Sequence, residues 1–131
     1  MKLLLGGGQK KLECFINIDV IPWTTVDIVW DLDKGLPFVN TGVVEEVVTE
    51  HVIEHLHNFV QFMREVHRVC KNGALVNIVT PHASYSQFWR DPTHVRPYTE
   101  ETWRYFDDWN IYNLPKFKTI SCDISDLEQM R

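Results

Sequence analysis

Five short apolar runs, each soon followed by a charged residue, glycine or proline, set the terms for this chain. They occupy residues 2–5 before Gly6-Gly7-Gly8, 15–19 before Pro22, 26–30 before Asp31, 43–49, and 74–79 before Pro81. Runs that are apolar on both faces and bounded by breakers suit strands of a sheet covered on both sides, which implies mostly parallel pairing. Between the fourth and fifth runs, Phe59, Phe62, Met63, Val66, Val69 and Cys70 fall at helical spacing, so a helix is predicted over 58–72. Asn58 suits its N-cap and Gly73 its left-handed C′ position. Arg64 and Arg68, on the other side of that stripe, read as solvated.

A second helix is predicted over 99–107, opened by Thr99 with Glu100 and Glu101 in its first turn. A shorter one within 50–57 continues the fourth strand, and 117–124 is a candidate sixth strand. The expected architecture is one α/β domain over 1–131, with a mostly parallel sheet in a three-layer arrangement. A chain of 131 residues buries roughly two-thirds of its unfolded surface, enough for one core without staples.

Charge and composition exclude several classes. Thirteen Lys and Arg against eighteen Asp and Glu leave a net charge of −5, the wrong sign for a general nucleic-acid binder. No apolar run approaches the ~20 residues of a membrane span, and residues 1–5 are too short for a signal peptide. Cys14, Cys70 and Cys122 are odd in number and widely spaced, which suits reduced, packed thiols in a cytoplasmic protein.

Chemistry concentrates where the first strands end, the edge at which open parallel sheets bind ligands. Gly6-Gly7-Gly8 lets the backbone approach a ligand and offers main-chain N–H groups; the same triplet also makes a plain turn. Asp19 closes the second strand, where a carboxylate can accept hydrogen bonds from two ribose hydroxyls, or merely begin a turn before Pro22. Asp31 and Leu32 close the third, where an acid and exposed backbone can read an adenine edge or simply aid solubility. The three features come in order at successive strand ends, which chance explains poorly.

The strings LGGGQKKLECFINID, VDIVWDLDKGLPF, EEVVTEHVIEHLHNFVQFMREVHRVCKNGALVNIVTPH and DPTHVRPYTEETWRYF together resemble the class I S-adenosylmethionine-dependent methyltransferases. The likeness covers about residues 3–106. It implies a Rossmann-like methyltransferase fold with S-adenosylmethionine as cofactor. Gly6, Gly7 and Gly8 would then pass under the methionine part, Asp19 with Val20 beside it would hold the ribose, and Asp31 with Leu32 would meet the adenine. Glu50 and His51 match positions near the sulfonium and the incoming acceptor.

Departures from the family pattern make this a pared-down version. Gly7 stands where cysteine is common, and Gln9-Lys10-Lys11 follows without a further glycine. Only the nine residues 6–14 separate the first two strands, so the usual first helix must shrink to a turn. A helix ahead of the first strand and a seventh strand are both expected to be missing.

Other features carry two readings. His51-Val52-Ile53-Glu54-His55 fits an inverted zinc-protease pattern, yet it follows a buried strand and lacks an evident third ligand, so no metal is expected. Glu54 and His55 read instead as capping the turn after the fourth strand. His82 and His94, with Asp91 nearby, either supply a general base beside the pocket or hold the long loop 84–97. Arg90 and Arg96 either hold an anion or pair with surface acids. Nine aromatics lie between Tyr85 and Tyr112, more than one helix face needs, which points to a substrate site or a subunit interface and leaves homo-oligomerisation open.

The expected function is methyl transfer from S-adenosylmethionine to a small-molecule or glycan-like acceptor, with Glu50, His51, His82 and His94 as candidate bases. The alternative is a catalytically inactive S-adenosylmethionine- or nucleotide-binding or assembly protein of the same fold.

Overall fold

The computed structural model of the chain describes residues 1–124; residues 125–131, the end of the expected domain, lie outside them. Strands β1 (Lys2–Leu5), β2 (Phe15–Asp19), β3 (Ile28–Val29), β4 (Val44–Glu50) and β5 (Cys70–Val79) form one sheet in the order β3-β2-β1-β4-β5. Every pair is parallel. Leu3, Leu4 and Leu5 are buried because β1 is the central strand, flanked by β2 and β4.

One helix supplies most of the cover. Helix α1 (Phe59–Val69) turns Phe59, Phe62, Met63, Val66 and Val69 inward, as the stripe predicts. They pack with Leu3, Leu5, Ile18 and Val47 from one face of the sheet. Helix α2 (Ser86–Arg90) is short, and the segment predicted as helix over 99–107 is a 3₁₀ helix, Glu100–Phe106, with a Thr99–Thr102 capping box. Aromatic packing fixes it there: Tyr98 stacks on Trp103 at 5.8 Å, and Phe59 of α1 meets Tyr98, Trp103 and Phe106.

The opposite sheet face is barer than parallel pairing led us to expect. Neither the β1–β2 nor the β2–β3 connection contains a helix, and the first is reduced to turns, as its length requires. Leu75, Val79 and Val29, which point to that side, remain 53%, 38% and 55% exposed. Among the described residues, the third layer therefore consists of loops.

Several local expectations need correction. Asn58 makes no side-chain cap; instead Asp33, from the turn after β3, accepts hydrogen bonds from the His57 and Asn58 amides at 3.2 and 3.0 Å. Gly73 lies inside β5 at φ 84° and is no helix cap, because the chain enters the strand at Cys70 directly from α1. The β4–β5 register shifts between Val44 and Glu46, and the left-handed glycine lies opposite that irregular stretch. Residues 117–124 are not a strand; the Phe117 amide donates to the Phe106 carbonyl at 2.7 Å, which ties this segment to the aromatic cluster.

Arg68 is not solvated. Its guanidinium donates to the Leu36 and Val39 carbonyls and to Glu65, pinning the loop after β3 to α1. Of the three cysteines, Cys70 is half-buried, and burial pushes its thiol up to about 11. Cys14 and Cys122 are exposed rather than packed.

Candidate functional site

Because all five strands run parallel, their carboxyl ends meet on one rim. The backbone turns sharply there after β1: Gly6 and Gly8 sit at φ 71° and 56°, in the left-handed region that favours glycine. A Cβ on Gly6 would lie 2.0 Å from the Val52 side chain, whereas one on Gly8 would meet nothing nearer than Asp19 Oδ2 at 3.8 Å. Gly6 is thus required by packing, and Gly8 leaves open space at the rim. Gly6→Ala is expected to lower unfolding free energy by about 1–3 kcal/mol more than Gly8→Ala, since only the first adds a clash. Urea denaturation of both variants checks this, and equal losses would contradict the close approach to Val52.

The glycine loop is built onto β2 by two residues. Buried Asn17 accepts from the Gly7 amide at 3.1 Å and donates to the Gly8 and Thr25 carbonyls at 3.0 and 3.2 Å. Asp19 accepts from the Gly8 amide at 2.8 Å with one oxygen and from the Ile21 amide at 3.0 Å with the other. Each carboxylate oxygen has two acceptor sites, so both keep capacity for a ligand hydroxyl. The three glycine amides, however, are committed to Ile18, Asn17 and Asp19. The loop therefore offers close approach rather than the N–H donors expected from the triplet.

At the third strand end, Asp31 is turned back to cap the 3₁₀ turn Leu32–Lys34, accepting from the Asp33 amide at 3.0 Å. The Leu32 side chain is buried in the core, so this residue presents backbone at most. Val20 follows Asp19 and is exposed.

Across the rim from the glycine loop, Glu50 ends β4 and pairs with Lys10. Gly6, Gly7, Lys10, Glu50 and His51 line, with Leu4, a cleft of about 290 Å³. A larger hollow of about 550 Å³ runs along β2 under the shortened β1–β2 connection, on the sheet's barer face. Its lining contains none of the strand-end residues singled out above, so the smaller cleft is the candidate site. Lys10 was missed by the sequence reading, where it figured only as a departure from the glycine pattern.

His51 stands at φ 59°, a conformation that costs a non-glycine residue on the order of 1–3 kcal/mol and concentrates at functional sites. Its imidazole Nδ1 is 3.7 Å from Glu54 Oε2. That neighbour raises the His51 pKa above the ordinary histidine value, against its own partial desolvation, and Glu50 adds to the effect.

His82 and His94 are held away from this cleft. His82 bridges Ser84 Oγ at 2.7 Å and Glu100 at 2.9 Å, tying the end of β5 to the Glu100–Phe106 turn. His94 packs against Phe88 and His55, with its Nδ1 2.7 Å from the Phe88 carbonyl. Of the four candidate bases, the structure brings Glu50 and His51 to the glycine loop. Arg96 lies over the Phe59 ring at 5.9 Å.

A parallel β3-β2-β1-β4-β5 sheet with a glycine turn after β1 and an acid ending β2 defines a Rossmann-like fold of the class I methyltransferase type. Among solved structures, the chain is similar to a SAM-dependent methyltransferase from Archaeoglobus fulgidus, with a TM-score of 0.67 and 19% identity. It is also similar to the YcgJ protein from Bacillus subtilis, with a TM-score of 0.59 and 19% identity. Each likeness covers 79% of this chain, which spans only 57% of the length of either neighbour. No family model and no curated protein matches the sequence. Among the described residues, no helix is long and apolar enough to cross a membrane.

Proposed function

We propose that this chain binds S-adenosylmethionine at the β1–β4 rim and transfers its methyl group to a small-molecule or glycan-like acceptor. The observation that carries the reading is the direct hydrogen bond between Gly8 and Asp19, which fuses the glycine turn and the strand-end acid into one cradle. The fit to the cofactor rests on three features of this chain. Gly8 has open space where a side chain would stand. Asp19 retains acceptor capacity on both oxygens for a ribose diol. The Lys10–Glu50 pair sets a cation and an anion side by side in the cleft, complementary to a zwitterionic amino-acid end.

When bound, the cofactor supplies an electrophilic methyl group on a sulfonium. The protein's own work is then alignment and exclusion of water, which can supply roughly 7–11 kcal/mol of the barrier. A hydroxyl acceptor must also lose a proton. His51 is the residue we assign to take it, because it lines the cleft and Glu54 favours its protonated form. Glu50 is engaged by Lys10 and serves binding.

Calorimetric titration with S-adenosylmethionine and S-adenosylhomocysteine tests the binding, and release of S-adenosylhomocysteine on adding sugar or small hydroxyl acceptors tests the transfer. Both ligands are expected to bind. A dissociation constant above about 1 mM for each would overturn the reading. Binding with no turnover against any acceptor would favour a non-catalytic cofactor-binding domain.

A further inference from the structure

A second constellation lies on the turn after β4, built from residues that do not line the rim cleft, although one of them, Glu54, also neighbours His51. Glu54 offers a carboxylate oxygen, and His55 and His94 one ring nitrogen each, all within 4.8 Å of one another. Ligand atoms around a tetrahedral zinc ion stand about 3.4 Å apart, so small rotamer shifts close the set.

Hydrogen bonds place the protons of both imidazoles. His94 Nδ1 lies 2.7 Å from the Phe88 carbonyl, which can only accept, so Nδ1 carries the hydrogen. The Thr93 hydroxyl donates its single hydrogen to Asp91 Oδ1 at 2.7 Å. Toward His55 Nδ1, 2.9 Å away, it must therefore accept, and that nitrogen also carries the hydrogen. With Nδ1 carrying the hydrogen, the lone pair of each imidazole in its neutral form is on Nε2, oriented by the outer hydrogen bonds that metal-binding histidines usually have.

Glu54 supplies the independent observation. It is 0% exposed, and its Oε1 accepts from Thr80 at 3.1 Å. Oε2 is buried without a hydrogen bond, and His51 Nδ1 at 3.7 Å is too distant to provide one. A buried oxygen left in that state is costly, and a cation answers it directly. Asp91 Oδ2, 3.4 Å from His94 Nε2, adds a further negative group to the neighbourhood.

We propose that Glu54, His55 and His94 bind one divalent transition-metal ion of the zinc class, clamping the loop around His94 to the turn after β4. Imidazole and carboxylate together suit such ions. This is not the pairing of His51 with His55 that the H-x-x-E-H spacing suggests. His51 sits on a left-handed turn facing the rim cleft, and its place is taken by a histidine from the loop beyond β5. The proposal is independent of methyl transfer, since metal binding is read without S-adenosylmethionine.

The test is zinc titration against a chromophoric chelator, together with the absorption spectrum of the cobalt-substituted protein. The full chain is used with Cys14→Ser and Cys122→Ser, so that exposed thiols cannot bind. One ion per chain is expected. His55→Ala and His94→Ala should each weaken binding at least tenfold, and Thr93→Val, which removes no ligand, about tenfold through the lost orienting hydrogen bond. His51→Ala should not weaken it. Circular dichroism establishes that each variant is folded, and the Thr93 variant carries the test if a histidine variant is not. Absence of stoichiometric binding, binding indifferent to His94→Ala in folded protein, or an equal loss with His51→Ala would overturn the proposal.

Discussion

Phe59→Ala is expected to lower the free energy of unfolding by about 3–5 kcal/mol, a large share of a small domain's total stability. Phe59 is only 4% exposed, at the first turn of α1, and three aromatic rings from the C-terminal part of the chain converge on it. Tyr98, one of them, donates its buried hydroxyl to the Ile53 carbonyl at 2.9 Å, and burial pushes its pKa up. Removing the Phe59 ring leaves a cavity between α1 and the 98–106 segment and takes away its edge-to-face partners. Urea denaturation followed by far-ultraviolet circular dichroism measures the loss. A change below about 1 kcal/mol would mean that the aromatic segment is not packed on α1 as described.

The second large effect concerns the ligand. Asp19→Ala is expected to weaken S-adenosylmethionine binding roughly ten- to a hundredfold, the cost of losing two charge-assisted hydrogen bonds to a ribose diol. The same substitution frees the Gly8 and Ile21 amides, so part of the loss comes from a loosened glycine turn. Asp19→Asn separates the two contributions. It keeps one acceptor oxygen for a backbone amide but presents an NH₂ group in place of the second, so it should hold the turn better than it holds the ligand. An unchanged dissociation constant in Asp19→Ala would remove this residue from the site.

Much of the sheet was legible because strand signals are local. The apolar runs at 2–5 and 15–19 appear as strands with those bounds, and the α1 stripe turns the expected residues inward. The misreadings share a cause. Asn58 and Gly73 fit helix caps by type, but Asn58 makes no side-chain cap while Asp33 from a distant turn holds its amide and that of His57, and Gly73 was drawn into β5 beside an irregular register. Arg68 reads as solvated from its helix face, yet the loop after β3 folds over it. In each case a partner far along the chain outweighed a local preference.

The candidate site divides in the same way. Residue order alone determined the parallel α/β class, the glycine turn and the strand-end acids, because hydrophobic period and breaker placement are properties of neighbouring residues. Only the tertiary structure decided that Lys10 reaches Glu50 and that the glycine amides are already committed. It also decided that His94, from the loop beyond β5, comes within 4.8 Å of Glu54 and His55. Those outcomes depend on which backbone turns bring distant side chains within bonding distance, and on which buried polar atoms are left to be satisfied, neither of which is encoded in spacing along the chain.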